Sequence, residues 1–593
     1  MISKSASTII AVLCGAHSLM VAPSHSQHPN VIIVMTDDQG YGDLSCHGNP
    51  VLKTPELDKL WSESVRLTDF HASSLCTPSR ASLMTGRDCL RTGAWATTRG
   101  RSLLRKDETT MADVFAACGY RTGLFGKWHL GDNYPFRPQD RGFQEVLWHL
   151  GGGLEQTPDY WGNNYFDDRY WHNGKLIQFT GYCTDVWFDG AMSFIKESVG
   201  NGQPFFAYIA TNAPHDPYRV DPKYSEPYRK AGIEAKRANF YGMIANLDEN
   251  MARLLDLVDR LGIRENTILI FLSDNGTSAG ASTDNETQKI LSGFNAGMRG
   301  IKTSYYDGGH RVPCFVRWPS HDLQGGRDIA ELTSINDLLP TLIDLCGLEK
   351  PKDVAFDGTS LATLLLGKVS ALPERTLFVH IGTGEGPHGE WRGTVMRRKW
   401  RLVGGKELYD ISTDPGQQDD VSSQHPEVVQ SMRADYAAWW KGIASGPMDP
   451  CPIIIGSDRE NPSCLTCFDW AGTKGATAWA QYLIRTAENV NGWWNIEVER
   501  DGTYEFSLRR WPEESNLPIN GAPDKAGYQK IGVTAARIKV GGIVEEQPVP
   551  EDAAAVVFTI PLPAGETRLQ TWFLNEQTND PERGAYYVYV KRL

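Results

Sequence analysis

Residues Val31–Met35 form a short apolar run, rich in β-branched side chains, that stops abruptly at Thr36-Asp37-Asp38-Gln39-Gly40. A strand buried on both faces reads this way, because neither face alternates with water. The same succession recurs twice: Phe205–Ala210 runs into Asn212-Ala213-Pro214-His215, and Thr267–Leu272 runs into Ser273-Asp274-Asn275-Gly276. Between these runs lie stretches with apolar residues at helical spacing, Thr110–Cys118 and Ala238–Leu261, each closed by a glycine that can end a helix in the left-handed conformation. Strands alternating with helices predict an α/β fold, a mostly parallel sheet sandwiched by helices. Ligands gather at the carboxyl ends of the strands in such sheets, which is where all three polar clusters fall.

The texture changes after about residue 360. Arg392–Leu402 and Lys406–Ile411 read as short strands, Asp414-Pro415-Gly416 as a turn, and Pro426 to about Gly442 as a helix, together a small antiparallel α+β subdomain. From Tyr482 onward the pattern is strand and turn only, including Trp494–Arg500, Gly502–Leu508, Ala554–Ile560 and Ala585–Val590, as in a β-sandwich. A chain of 593 residues exceeds the ~250–300 at which one core stops growing, so division into domains is expected. The boundaries read as 1–26 for a leader, 27–360 for the main α/β domain, 361–450 for its C-terminal subdomain and 451–593 for an accessory β-rich domain.

Composition narrows the class. Hydrophobic residues at 41% and charged residues at 22% describe an ordinary globular chain, and a net charge of −13 argues against nucleic acid, whose phosphates would repel it. Lys4 precedes an apolar run from Thr8 to Ala22, the shape of a signal peptide, and no later segment has the ~20 uninterrupted apolar residues of a membrane span. Export to the periplasm or the medium, without a stable membrane anchor, is the expectation. Eleven cysteines are too sparse for a disulfide scaffold; Cys451, Cys464 and Cys467 are the closest-spaced candidates for a bridge. Cys464-Leu465-Thr466-Cys467 has no second Cys/His pair at zinc-finger spacing to accompany it. No signal for an oligomeric state is present.

The chemistry concentrates in Cys76-Thr77-Pro78-Ser79-Arg80-Ala81-Ser82-Leu83-Met84-Thr85-Gly86-Arg87. This stretch resembles the signature of the type I sulfatases of the alkaline phosphatase superfamily. The resemblance implies that a formylglycine-generating enzyme oxidises Cys76 to Cα-formylglycine, whose hydrate is the nucleophile. A bare thiol attacking sulfur would leave an adduct with no internal exit, whereas a gem-diol can collapse to aldehyde and expel sulfate. Gly119–Gly131, containing Lys127 and His129, also resembles the family; the two side chains alternate by two, as on one face of a strand. Asp37, Asp38, Asp274 and Asn275 are hard oxygen donors suited to calcium or magnesium rather than zinc. The resemblance favours calcium and adds position 76 to its ligands, and it implies roles for His215 and Lys302. It extends over residues 29–430, through Phe356–Leu361 and Leu408–Pro415.

The resemblance implies sulfate-ester hydrolysis in which calcium, Arg80, Lys127 and Lys302 neutralise sulfate oxygens. Asp37 or Asp274 would help deprotonate the nucleophile, His215 with Lys302 would protonate the departing alcohol, and His129 would take the second hydroxyl's proton. A sulfated small molecule or, given the leader and the β-rich domain, a sulfated carbohydrate is the expected partner. A phosphoester or phosphonate hydrolase on the same fold, and a non-catalytic binding protein, are the alternatives. Leu150–Tyr182, with Trp161, Tyr165, Tyr170, Trp171 and His172, reads equally as a sugar-facing wall or as packing residues, and His149 or Gly151–Gly153 as the place of a further polar contact. In the β-rich region Trp493, Trp494, Trp511 and Trp572 could stack on sugars or fill a core.

Overall fold

The computed structural model describes residues 28–382, 391–473, 477–575 and 583–593; the leader read at 1–26 lies outside them. A ten-stranded sheet forms the centre. Its strands, in chain order, are β1 (Asn30–Thr36), β2 (Val65–Leu67), β3 (Arg121–Lys127), β4 (Glu145–His149), β5 (Arg169–His172), β6 (Lys175–Gln178), β7 (Phe205–Ala210), β8 (Thr267–Ser273), β9 (Cys314–Arg317) and β10 (Asp328–Ile329). They lie side by side as β10-β2-β9-β8-β1-β7-β3-β4-β5-β6. The inner five, β8-β1-β7-β3-β4, are all parallel. β9 runs antiparallel to both neighbours, and β5 and β6 close the other side antiparallel. The sheet is therefore mixed rather than uniformly parallel, a pattern common when edge strands are added to a parallel centre.

Every residue of β1, β7 and β8 is buried, as their unbroken apolar runs require. Helices cover both faces, among them α1 (Cys76–Thr85), α2 (Met111–Ala117), α3 (Cys183–Gly200) and α4 (Ala235–Arg260). Alternate residues of β1 point into different cores: Val31, Ile33 and Met35 join the cluster around α1 and α2, while Ile32 and Val34 join the one around α3 and α4. α2 begins with a reciprocal cap, the Thr110 side chain bonding the Asp113 amide and the Asp113 carboxylate the Thr110 amide.

Thr376–His380, Gly393–Arg397, Trp400–Val403 and Glu407–Asp410 form a four-stranded antiparallel sheet, against which α5 (Pro426–Ala444) packs through Val429, Met432 and Tyr436. The C-terminal region folds into a five-stranded and a four-stranded sheet that share one core, including Trp470, Trp494, Trp511 and Phe506. Strands over Ala535–Val540, Ile543–Pro548 and Gly565–Leu574 were not foreseen, and a short helix, Gln481–Arg485, interrupts the expected run of strands. No bridge joins Cys451, Cys464 and Cys467: all ten cysteines among the described residues carry free thiols. No helix of the described residues is long and apolar enough to cross a membrane.

Candidate active site

Because β3, β7, β1 and β8 are adjacent and parallel, with Met35 opposite Ala210 and Thr36 opposite Ser273, they end at one level. Strands ~4.8 Å apart deliver the residues that follow them into one small volume. The Asp37 amide bonds the Ala213 carbonyl and the Asp274 amide bonds the Thr36 carbonyl, each at 3.0–3.2 Å, which extends the ladder past the strand ends. Asp38 turns sharply, with φ of 69°, and its amide donates to the Asp274 carboxylate at 3.1 Å. The Asn275 amide group donates to Asp38 at 2.8 Å.

Cys76 is the first residue of α1, so its side chain sits at the electropositive end of a helix, a place suited to anions. All ten residues of that helix are buried. Four residues on, Arg80 lies one turn away on the same face and forks onto Asp274 at 2.8 and 3.2 Å, with its third nitrogen on the Lys127 carbonyl at 3.3 Å. The Cys76 Sγ is 3.4 Å from His129 Nδ1. Asp37, Cys76 and Asp274 offer ligand atoms that all lie within 4.8 Å of one another.

Lys127 Nζ reaches Asp37 at 2.7 Å, and Lys302 Nζ reaches both Asp38 oxygens at 2.7 and 2.8 Å. His215 stands 3.7 Å from Asp38 through Nε2, its Nδ1 on the Asp216 carbonyl at 2.6 Å. The structure thus brings together all ten residues singled out from the sequence, and corrects one detail. His129 is not on the strand face with Lys127: β3 ends at Lys127, and His129 follows it in the left-handed region, φ 58°.

Charge explains the titration of these groups. Burial alone would raise the Asp37 carboxyl, but Lys127, His215 and Arg80 hold it far below the usual range; Asp38, also raised by burial, is lowered by Lys302 and His215. Asp274 is pushed up to about 6 by burial and by the neighbouring Asp37 charge. Burial and the Lys127 charge hold His129 well below its ordinary value, so its ring is a neutral proton acceptor. Burial raises the Cys76 thiol.

Three cations, Arg80, Lys127 and Lys302, face three carboxylates, Asp37, Asp38 and Asp274. Two buried oxygens in this cluster, Asp37 Oδ1 and Asn275 Oδ1, accept no hydrogen bond from the protein. A lone pair left in that state is costly, and a hard divalent cation would satisfy both at once. The donor set fits a hard divalent cation such as calcium or magnesium.

Two other contributors, Thr97 and Tyr208, carried no sequence signal, while Gly152 and His149 fall where a further polar contact was expected. The Thr97 carbonyl meets His129 Nε2 at 3.0 Å, and the Tyr208 hydroxyl lies 3.5 Å from Arg80. Gly152 packs flat on His129, where a Cβ would stand 2.3 Å from the ring, and its amide donates to Gln156 at 2.8 Å. His149 is buried against Trp187, with its Nδ1 3.0 Å from the Leu150 carbonyl and its Nε2 unpartnered. Of the two readings of the aromatic segment, packing holds for Tyr165 and Tyr170, core residues with 0% and 1% exposure, and Trp161 packs edge-on against Trp511. Trp171 does line an open cavity of about 450 Å³ between β4 and the C-terminal β region. A second buried cluster, His71, Asp307 and His310, is already neutralised by Arg401, which bonds Asp307 and Asp69.

A parallel sheet with acidic residues at its strand ends, and a buried nucleophile position on a helix N-terminus among fixed cations, defines a hydrolase of the alkaline phosphatase-like class. The sequence model of the sulfatase family matches residues 29–348, more than half of the chain. Human arylsulfatase A is 32% identical over 506 residues, covering 74% of this chain and 96% of its own. The N-acetylgalactosamine-6-sulfatase of Canis lupus familiaris is 32% identical over 379 residues, 60% of this chain and 69% of that one. The crystal structure of Ps i-CgsB superposes with a TM-score of 0.62 at 26% identity, over 70% of this chain and 92% of that chain; it is also known in complex with k-i-k-neocarrahexaose. The chain belongs to the type I sulfatase family of the alkaline phosphatase superfamily, the sulfuric ester hydrolases.

Proposed function

We propose that the chain is an exported, calcium-dependent carbohydrate sulfatase whose nucleophile is formylglycine made from Cys76. The observation that carries this reading is the position of Cys76 at a buried helix N-terminus, 3.4 Å from a neutral His129 and ringed by Arg80, Lys127 and Lys302. The Cys76 Sγ stands where a hydroxyl of the hydrated aldehyde would be. Asp37, Asp38, Asp274 and Asn275, with residue 76, would hold calcium. When present, formylglycine supplies a hydroxyl nucleophile with a second hydroxyl for release, and calcium supplies positive charge to the sulfate oxygens.

The chain's own groups do the rest. Arg80, Lys127 and Lys302 orient the sulfate and meet the charge that develops on it, the first two from fully buried positions. His129 Nδ1 accepts a proton from the group at position 76, its ring held by the Thr97 carbonyl. His215 Nε2, at the more open edge beside Asp38, delivers a proton to the departing alcohol. Carbohydrate as substrate is supported by relatives named N-acetylgalactosamine-6-sulfatase and by a neighbour crystallised with k-i-k-neocarrahexaose. Export is supported by the leader-like sequence at 1–26 and goes with the division at 360 and 450 into catalytic domain, subdomain and accessory β domain.

The test is a peptide mass spectrum across Ser74–Arg80 of protein made with a formylglycine-generating enzyme, followed by turnover of an aryl sulfate and an aryl phosphate. Aldehyde or hydrate at position 76 with preference for the sulfate is the expected result. Unmodified Cys76 under conditions that mature a control sulfatase, or preference for the phosphate, overturns the reading.

A further inference from the structure

The catalytic loop that ends in Thr97 does not stop at the active site. Two residues after the carbonyl that meets His129, the Arg99 amide bonds the Phe468 carbonyl of the C-terminal β region at 2.9 Å. Arg99 and Arg101 then line one side of an open groove of about 740 Å³. The other side is the outer face of the five-stranded β sheet. There Trp493 and Asn495 alternate outward while Trp494 and Ile496 point into the core, and Asn495 pairs in register with Arg568.

The Arg568 guanidinium sits 5.0 Å from the centre of the Trp493 ring. That ring lies over Gly472, where a Cβ would come within 1.9 Å of it, so the glycine is what allows the half-exposed indole to lie in the groove. The facing carboxylates, Asp449 and Glu566, are outnumbered by the three guanidinium groups, on a chain whose net charge is −13. Arginine forks match the oxygens of sulfate as they do those of phosphate, and a flat indole stacks on the apolar face of a sugar ring.

We propose that this groove is a docking site for a sulfated saccharide chain, separate from the reacting centre, with guanidinium groups on sulfates and the part of the Trp493 indole left open beside Arg568 against a sugar ring. It rests on the reading of the substrate as carbohydrate and makes that substrate a polymer or long oligomer. Arg99 is two residues from Thr97, so one edge of the groove lies at most about 7 Å of chain from the carbonyl that meets the catalytic histidine. The C-terminal β region thereby acts as a substrate-holding wall of the enzyme.

Affinity electrophoresis of the full chain in gels carrying carrageenan, chondroitin sulfate or heparin, with dextran as neutral control, tests this directly. Retardation in at least one sulfated gel and none in dextran is expected. It should fall roughly fivefold or more in Arg568→Glu and in Trp493→Ala, and not in Lys591→Glu, an exposed control on the other β sheet. Aryl sulfate turnover should stay within twofold in all three, while KM for the retarding polysaccharide rises in the first two. Retardation in no sulfated gel, or equal retardation in wild type and both groove variants, overturns the proposal. Retardation lost in the variants of a chain that cleaves no aryl sulfate would support the groove and overturn the catalytic reading.

Discussion

Arg401 is the most consequential buried charge outside the active site. It lies on the Trp400–Val403 strand, 0% exposed, and bonds Asp69 at 2.7 and 3.0 Å and Asp307 at 3.2 and 3.4 Å, tying the C-terminal subdomain to the segment that leads into Cys76. Replacing it by Met preserves volume but leaves two buried carboxylates without their partner, a change that costs about 3–5 kcal/mol. Spread over the unfolding entropy of roughly 400 residues, at ~2.1 cal/mol/K each, this lowers Tm by about 4–6 °C. The pH dependence has a definite sign. Despite burial, Arg401 and His71 hold Asp69 and Asp307 below their ordinary values, so their contribution is complete above an unfolded value near 4 and is lost as pH falls below it. In Arg401→Met the same carboxyls are pushed up by burial and take up protons while folded. The deficit against wild type is therefore largest at neutral pH and shrinks towards pH 5. Scanning calorimetry at pH 7.5 and 5.0 reads both effects, and adding Asp69→Asn should recover part of the loss. A Tm shift below 1 °C at pH 7.5, or a larger deficit at pH 5.0, refutes the argument.

Three further outcomes are expected. In Gly152→Ala the new methyl drives the His129 ring from its place, and kcat falls by about 10²-fold at little cost in Tm; a kcat within threefold of wild type would show that the ring has room. Calcium added to chelator-treated protein should stabilise it by an amount that grows with its concentration, about 2.7 kcal/mol at a hundred times Kd, read as a rise in Tm that should vanish in Asp38→Ala; persistence in the variant would place the ion elsewhere. His310 is pushed down to about 3 by burial and the His71 charge, so the unfolded chain binds its proton first and stability falls as pH drops from 6.5 towards 3, by roughly 4–5 kcal/mol at most. The decline in Tm between pH 6 and 4 should be shallower in His310→Gln, and an unchanged slope would remove this residue from the acid response.

The strands that matter for the site were legible because burial on both faces leaves no alternative to an unbroken apolar run, and the polar residues after them are the only ones such strands can present to a ligand. The strands at Ala535–Val540 and Ile543–Pro548 were not legible for the opposite reason: Arg537, Lys539, Glu545 and Glu546 face water and dilute the apolar signal. Antiparallel β9 escaped too, since strand direction is a property of pairing across more than forty residues and leaves no local trace. Helix α1 is the instructive case. Buried all round, it has no stripe of periodic apolar residues, and Ser79 and Arg80 sit inside it where pattern alone would place a surface. It was found through residue identity, because its polar groups serve chemistry rather than solvent. The same logic explains what identity missed. Thr97 acts through its carbonyl, which needs no distinctive residue, and Gly152, though its glycine run stood out, acts through the absence of a side chain rather than through the polar contact expected there. A motif therefore marks the groups that react, and only the fold shows the backbone that aims them.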